Sequence, residues 1–234
     1  FQVLVHSPDT YGGVADGFLY VDTGAERDFG GDFVGRGFEV AKASEDVFGA
    51  GGTNTSGTAK GRFSFKGIGG DILTLKGKGE GVIENARLVE LPLFLGILSS
   101  MLGENSSRHY FNEVLLAYEI ADGKFKARGG GIEIRSPGIK LVGGGTMDFS
   151  GNLDIGLDPH IFDLKIPVIE QIFTLLKKGL AQIWIKGDLA RPEVKFVTGA
   201  AMLRIGIDAG GSTAPLPTDL RKPREAKDLP PGPK

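Results

Sequence analysis

Between Val114 and Leu157 apolar residues fall on alternate positions. Val114, Leu116, Tyr118 and Ile120 come first, and the chain turns at Asp122–Gly123. Phe125 and Ala127 follow, then Ile132 and Ile134, then Ser136–Pro137–Gly138. Ile139 and Leu141, Met147 and Phe149, the turn Ser150–Gly151–Asn152, and finally Leu153, Ile155 and Leu157 complete the series. A period of two is the signature of a strand with one buried face, and Asp-Gly is the strongest short hairpin signal. The pattern predicts five successive strands in an antiparallel meander. One face is apolar and the other carries Lys, Glu, Arg, Thr and Gly. The runs 17–24, 31–41 and 61–70 predict further strands, and 49–61 reads as a flexible glycine-rich connection.

Two segments depart from this period. In 92–102, Leu93, Phe94, Ile97, Leu98, Met101 and Leu102 recur at helical spacing, and in 167–179 so do Val168, Ile169, Ile172, Phe173, Leu175 and Leu176. Pro92 and Pro167 stand where a first helical turn tolerates proline, because that N–H has no partner anyway. Shifting the chain by 75 residues superposes Pro92 on Pro167, Leu93 on Val168 and Ile97 on Ile172. Each segment follows a glycine-led strand pair, so a strands-then-helix unit is expected to occur twice. Neither reaches the roughly 18 apolar residues that a spanning helix needs. The expected organisation is irregular strands over 1–56 that continue an upstream sheet, a β domain over 57–209, and a proline-rich disordered tail over 210–234. The start at Phe1, inside a β-like segment, is read as the carboxyl-terminal part of a longer protein, with any anchoring segment upstream.

Composition narrows the function classes. With 27 Lys and Arg against 29 Asp and Glu, well mixed, the chain offers no electrostatic case for nucleic acid. There is no cysteine, which excludes disulfides and thiolate chemistry. His6, His109 and His160 do not stand at metal-ligand spacing. The glycine runs at 77–81, 129–131 and 143–145 lead into strands, whereas a phosphate loop must lead into a helix amino terminus. They read as strand ends and bulges. Asp154 and Asp158 sit opposite the apolar positions of their strand, as a solvated face requires, and with Asp163 they are too sparse for a calcium loop. No nucleophile elbow occurs. The motif search points away from an enzyme and requires no cofactor. The remaining feature is the apolar face, which either packs under the two helices or curls into a groove open to acyl chains.

Four stretches carry a resemblance: residues 77–102, 111–134, 139–157 and 183–196. In order they hold Ala86, Leu88, Leu91 and Pro92 before an apolar helix, then a phenylalanine-led strand from Phe111 to Gly123. A Gly-Gly-Gly-Thr-Met-Asp hairpin and a closing Gly187, Asp188, Leu189, Pro192 and Val194 complete it. This order resembles the carboxyl-terminal region of AsmA-like bacterial envelope proteins, of the bridge-like lipid transfer superfamily, over roughly residues 57–208. The resemblance implies a mainly β, elongated meander, curled like a taco, with two short amphipathic helices. It implies periplasmic placement, an inner-membrane anchor upstream, and a part in moving phospholipid to, and assembling, the outer membrane. Under that expectation Leu116, Tyr118, Ile120, Phe125, Ile132, Ile134, Ile139, Leu141, Met147, Phe149, Leu153 and Ile155 line the groove and contact phospholipid or another acyl-chain lipid. The alternative is an assembly module that docks an outer-membrane protein through a strand edge or the tail. A hydrolase ranks last.

Overall fold

In the computed structural model the described residues are 1–24, 27–48, 55–87, 111–162, 181–189 and 191–198. They form eleven strands: β1 (Gln2–Thr10), β2 (Gly13–Val21), β3 (Asp28–Glu39), β4 (Ser56–Ile68), β5 (Lys76–Arg87), β6 (Glu113–Ala121), β7 (Lys124–Ser136), β8 (Ile139–Asp148), β9 (Asn152–Ile161), β10 (Ala181–Asp188) and β11 (Glu193–Thr198). All belong to one sheet whose spatial order is the chain order, and every pair is antiparallel. At the usual ~4.8 Å between strands, the sheet extends about 48 Å from edge to edge. One helix, α1 (Val40–Phe48), follows β3, and a single 3-10 turn (Ile72–Thr74) joins β4 to β5.

Turn chemistry explains why each strand pairs with the next. Asp122 and Gly123 both have positive φ, 55° and 68°, and Ala121 pairs with Lys124. This is the two-residue hairpin whose twist matches that of the strands it joins. Pro137 and Gly138, the latter at φ 86°, close β7 onto β8 in the same compact way. Between β8 and β9 the Asp148 carboxylate accepts the N–H groups of Ser150 and Asn152 and the Asn152 side-chain amide. Proline falls where no ladder bond is lost. Pro8 lies on the edge strand, and Pro159 lies on β9 beyond the last residue paired to β10, Leu157.

The strand count over 113–161 is four rather than the expected five. Both glycine triplets lie inside strands. Gly143, Gly144 and Gly145 are paired in the middle of β8. Gly129–Gly131 form a bulge in β7, where the register shifts between Ala127 and Ile132 and Gly130 takes φ 81°. A positive φ inside a ladder is open to glycine at little cost, so the triplet bends the strand without ending it. Similarly, β3 ends at Glu39 and the next residues coil into α1, with Val40 and Ser44 buried on one side. The expected connection over 49–61 is shorter than predicted, since Ser56 already begins β4. The expected helices at 92–102 and 167–179, and the tail at 210–234, lie outside the described residues.

Connections alternate between the two ends of a meander. Those after β2, β4, β6, β8 and β10 are turns of at most seven residues, and they share one end. At the other end leave the three long ones, after β3, β5 and β9. The first of these three holds α1.

Candidate functional site

Cross-strand partners point to the same side of a sheet, so the register assigns every strand residue to a face. Starting from Leu116, the row reads Gly35, Gly61, Gly81, Leu116, Ile132, Gly143, Leu157 and Ile183. The neighbouring rows add Phe33, Phe63, Gly79 and Tyr118 on one side, and Phe38, Ala59, Ile83, Val114, Ile134 and Leu141 on the other. No Asp, Glu, Lys or Arg occurs on this face in any paired row among the described residues. The opposite face holds nearly all the strand charges, tied across strands as Arg36–Asp16 (2.6 Å), Arg62–Asp32 (2.9 Å), Lys60–Glu84 (2.9 Å) and Arg135–Glu113 (2.6 Å).

The twelve expected lining residues are all placed on or beside this apolar face, eleven by register and Phe149 in the turn just past β8. They divide by burial. Ile120, Ile132, Ile134, Ile139, Leu141 and Leu153 are buried, while Leu116, Tyr118, Phe125, Met147, Phe149 and Ile155 are half-buried. Ile139, Leu141, Leu157 and Ile183 have no exposure at all and belong, with Phe111 and Ile185, to the hydrophobic core. Over β7–β10 the face is therefore largely closed to solvent.

It is more open over β1–β5. Val3 and Leu19 are 40% exposed and Val21 is 46% exposed, and Phe29, Phe33, Phe63 and Phe65 are half-buried. The four phenyl rings form one cluster: Phe63 stacks on Phe65 at 5.1 Å, Phe33 on Phe65 at 6.4 Å, and Phe29 meets Phe65 edge-on at 6.4 Å. Tyr118, Phe125 and Phe149 make a second aromatic run with centroids 5.5 Å apart. The rings lie down on glycine. A Cβ at Gly79 would stand 2.3 Å from Tyr118 Cζ, and one at Gly67 would stand 2.4 Å from Phe29 Cζ. Glycine here lets an aromatic ring cover backbone, which gives a shallow, smooth apolar floor.

Residues 29, 33, 63 and 65 were not among the expected lining set. The signal was present in Phe-Gly-Gly-Asp-Phe and Phe-Ser-Phe, where every second residue is phenylalanine or glycine. A hydrophobicity count scores glycine as a gap, so the alternation there was less visible than in β6–β9.

The carboxylates behave as a solvated face requires. Asp154 and Asp158 are exposed, with Lys186 3.6 Å from the first and the Gln182 amide donating to the second at 3.1 Å. Asp163 and His109 lie outside the described residues, and His160 is exposed. His6 pairs with Asp16 at 2.7 Å, and Arg36 occupies the second oxygen of that carboxylate. Among the described residues no group of three His, Asp or Glu is placed to hold a metal ion, and no helix is long and apolar enough to cross a membrane. No family model, curated protein or solved structure matches the chain.

Proposed function

We propose that this chain is a segment of a non-enzymatic lipid-conducting groove in a bacterial envelope, periplasmic and of the AsmA-like kind, anchored in the inner membrane through a segment upstream. The single observation that carries the reading is the apolar face, unbroken by charge across eleven antiparallel strands. Its aromatic floor over β3–β5 and its half-buried rim at Tyr118, Phe125 and Phe149 support acyl-chain contact. In this reading the sheet curls about that face, and the segments 92–102 and 167–179 form helices that wall or plug it. Transport is passive. A chain that leaves water for the floor gains about 0.8 kcal/mol per buried CH₂, and neighbouring rows offer nearly equal sites, so it slides without a large barrier. The route serves phospholipid bound for the outer membrane.

A photoreactive residue at Phe63, Phe65 or Tyr118 should crosslink to co-purifying phospholipid, and one at Lys60 or Arg62 on the opposite face should not. Equal yields from both faces, or none from the apolar face in protein supplied with phospholipid, refute the groove.

One observation favours a second reading, an assembly module. Phe1 and Val21 exchange both backbone hydrogen bonds, so the alternate residues Gln2, Leu4 and His6 turn theirs to the open edge. Leu4 is 82% exposed, and no Lys, Arg, Asp or Glu precedes Asp9. At the other edge β11 carries Glu193 and Lys195, which discourage strand addition. Leu4→Pro removes only an outward N–H. Loss of capture of an outer-membrane partner without loss of folding would favour this reading.

A further inference from the structure

The short-turn end of the sheet carries a feature that the groove does not use. Between β4 and β5 the chain makes the 3-10 turn, and its framework is heavily cross-braced. Asp71 caps the turn through the Leu73 N–H (2.8 Å). The Thr74 hydroxyl accepts from Ile68 N–H (2.8 Å) and stands 2.6 Å from the Asp71 carbonyl and 3.1 Å from that of Ile68. Gly69 N–H reaches Arg27 O at 3.1 Å. This rigid frame holds its aliphatic side chains outward: Ile68 is 50%, Ile72 60% and Leu73 64% exposed. Exposed aliphatics on a well-fixed turn are not the by-product of a loose loop. The sequence places three large apolar residues where polar ones would serve a turn equally well.

The charges beside the tip are as unusual. Lys66 on β4 stands directly opposite Lys76 on β5, a like-charge pair that costs stability. Lys78 is the next residue of β5 on the same face, and Lys124 lies one strand beyond β6, which pairs Ala121 with it. Lys66, Lys76, Lys78 and Lys124 are exposed, and none has a carboxylate within salt-bridge distance among the described residues. Lys124 stands across the ladder from Asp148 and Lys78 from Glu119, but the closest contacts of the nearby acids go elsewhere: Asp71 to the turn, Asp122 to Lys126 at 2.5 Å, Asp148 to the β8–β9 turn, and Glu119 to Arg128 at 3.0 Å. Leu73 leans toward Gly123, which brings the apolar tip against the hairpin that carries Lys124.

We infer that this tip docks on a lipid surface: Ile68, Ile72 and Leu73 enter the headgroup layer of an anionic bilayer, and Lys66, Lys76, Lys78 and Lys124 contact its phosphates. The combination of protruding aliphatics and exposed lysines outside any direct salt bridge fits a bilayer interface, where apolar and cationic groups are both satisfied within a few ångströms. The site lies off the apolar face and does not require that face to carry lipid. A groove that ends at such a tip would meet the membrane from which it loads or to which it delivers.

Flotation of the full chain with phosphatidylcholine vesicles, with and without phosphatidylglycerol, tests this. Binding should require the anionic lipid and weaken as salt shortens the screening length from about 10 Å at 0.1 M to about 3 Å at 1 M. Ile72→Ser with Leu73→Ser should lower the partition at least about tenfold. Lys66→Gln with Lys76→Gln should lower it about fivefold per lysine, and should raise the melting temperature because the like-charge pair is relieved. Both pairs are exposed, and circular dichroism checks that each variant is folded. Partition that is the same on neutral vesicles, or that survives the serine pair, overturns the docking site. Binding lost by the lysine pair but not by the serine pair also overturns it, because the aliphatic tip then does not enter the headgroup layer. Crosslinking at Phe63 with detergent-solubilised phospholipid leaves the tip idle, so failure of the groove and failure of the tip are read separately.

Discussion

Gly79→Ala is the sharpest test of an apolar floor built from rings laid on glycine. The new Cβ would lie 2.3 Å from Tyr118 Cζ, 2.4 Å from its hydroxyl oxygen and 2.8 Å from Cε1. Carbon atoms in contact settle at roughly 3.5–4.0 Å, so the ring must lift or swing by more than an ångström. That movement disturbs the edge-on contact of Tyr118 with Phe125, now at 5.5 Å. Forced repacking of this kind costs about 1–3 kcal/mol. Against it stands about 0.5–1 kcal/mol gained when alanine replaces a strand glycine and reduces the entropy lost on folding. The net expectation is destabilisation by about 1–2 kcal/mol. For a chain of 234 residues that corresponds to a fall of about 2–8 °C in melting temperature. Urea unfolding of wild type, Gly79→Ala, Tyr118→Ala and the double variant closes a double-mutant cycle. In the Tyr118→Ala background Gly79→Ala should be neutral or stabilising. An unchanged cost in that background, or a Gly79→Ala protein as stable as wild type, refutes the ring-on-glycine account.

Leu141→Ala, at a fully buried position facing Ile134 across the β7–β8 ladder, should cost about 2–5 kcal/mol; Met147→Ala, half-buried on the same strand, should cost visibly less in the same urea titration. Arg62→Leu leaves the buried Asp32 carboxylate, one oxygen of which already lacks a partner, with no ion pair; it should destabilise by about 3–5 kcal/mol, and Asp32→Val added to it should restore much of the loss. Hydrogen bonds from Asn152, and then from the Ser150 amide, hold the Asp148 carboxyl below its usual value. Since its folded-state pKa is depressed, its contribution is present above the unfolded value near 3.8 and is lost as pH falls through the folded one; the Asp148→Ala protein should show a flatter acid limb of stability against pH. Burial pushes the Tyr118 phenol above its usual 10, so its stabilising share is full below that value and is lost as pH rises through the folded pKa. In an ultraviolet phenolate titration, Tyr118→Phe should remove a late-titrating component, and an unchanged curve would contradict the burial.

The meander was legible because it is written in local terms. Asp122–Gly123 and Ser136–Pro137–Gly138 dictate tight reversals through their own φ preferences, and Val114-x-Leu116-x-Tyr118-x-Ile120 dictates a one-sided strand through the two-residue period of the backbone. Adjacent strands joined by two-residue turns have little choice but to pair, so chain order became spatial order. The glycine triplets misled the strand count for an equally local reason. Glycine is read as punctuation, yet Gly143–Gly145 sit within β8 where neighbouring backbone leaves no room for a Cβ: one at Gly143 would lie 2.9 Å from the Leu157 Cα. That crowding comes from β9, which lies outside any sequence window around β8.

By itself the sequence determined the strand period, the turns and the existence of a face without charge. The tertiary structure alone decided where along the sheet that face is open. Leu141 and Phe63 both hold inward positions of their strands, yet the first has no exposure and the second is half-buried. It also set Lys66 against Lys76 and gathered Lys124 and Leu73 at one end. The physical reason is that period and turn type are properties of a few consecutive residues, whereas burial and charge proximity are sums over strands that approach one another only after the register of the whole sheet is set.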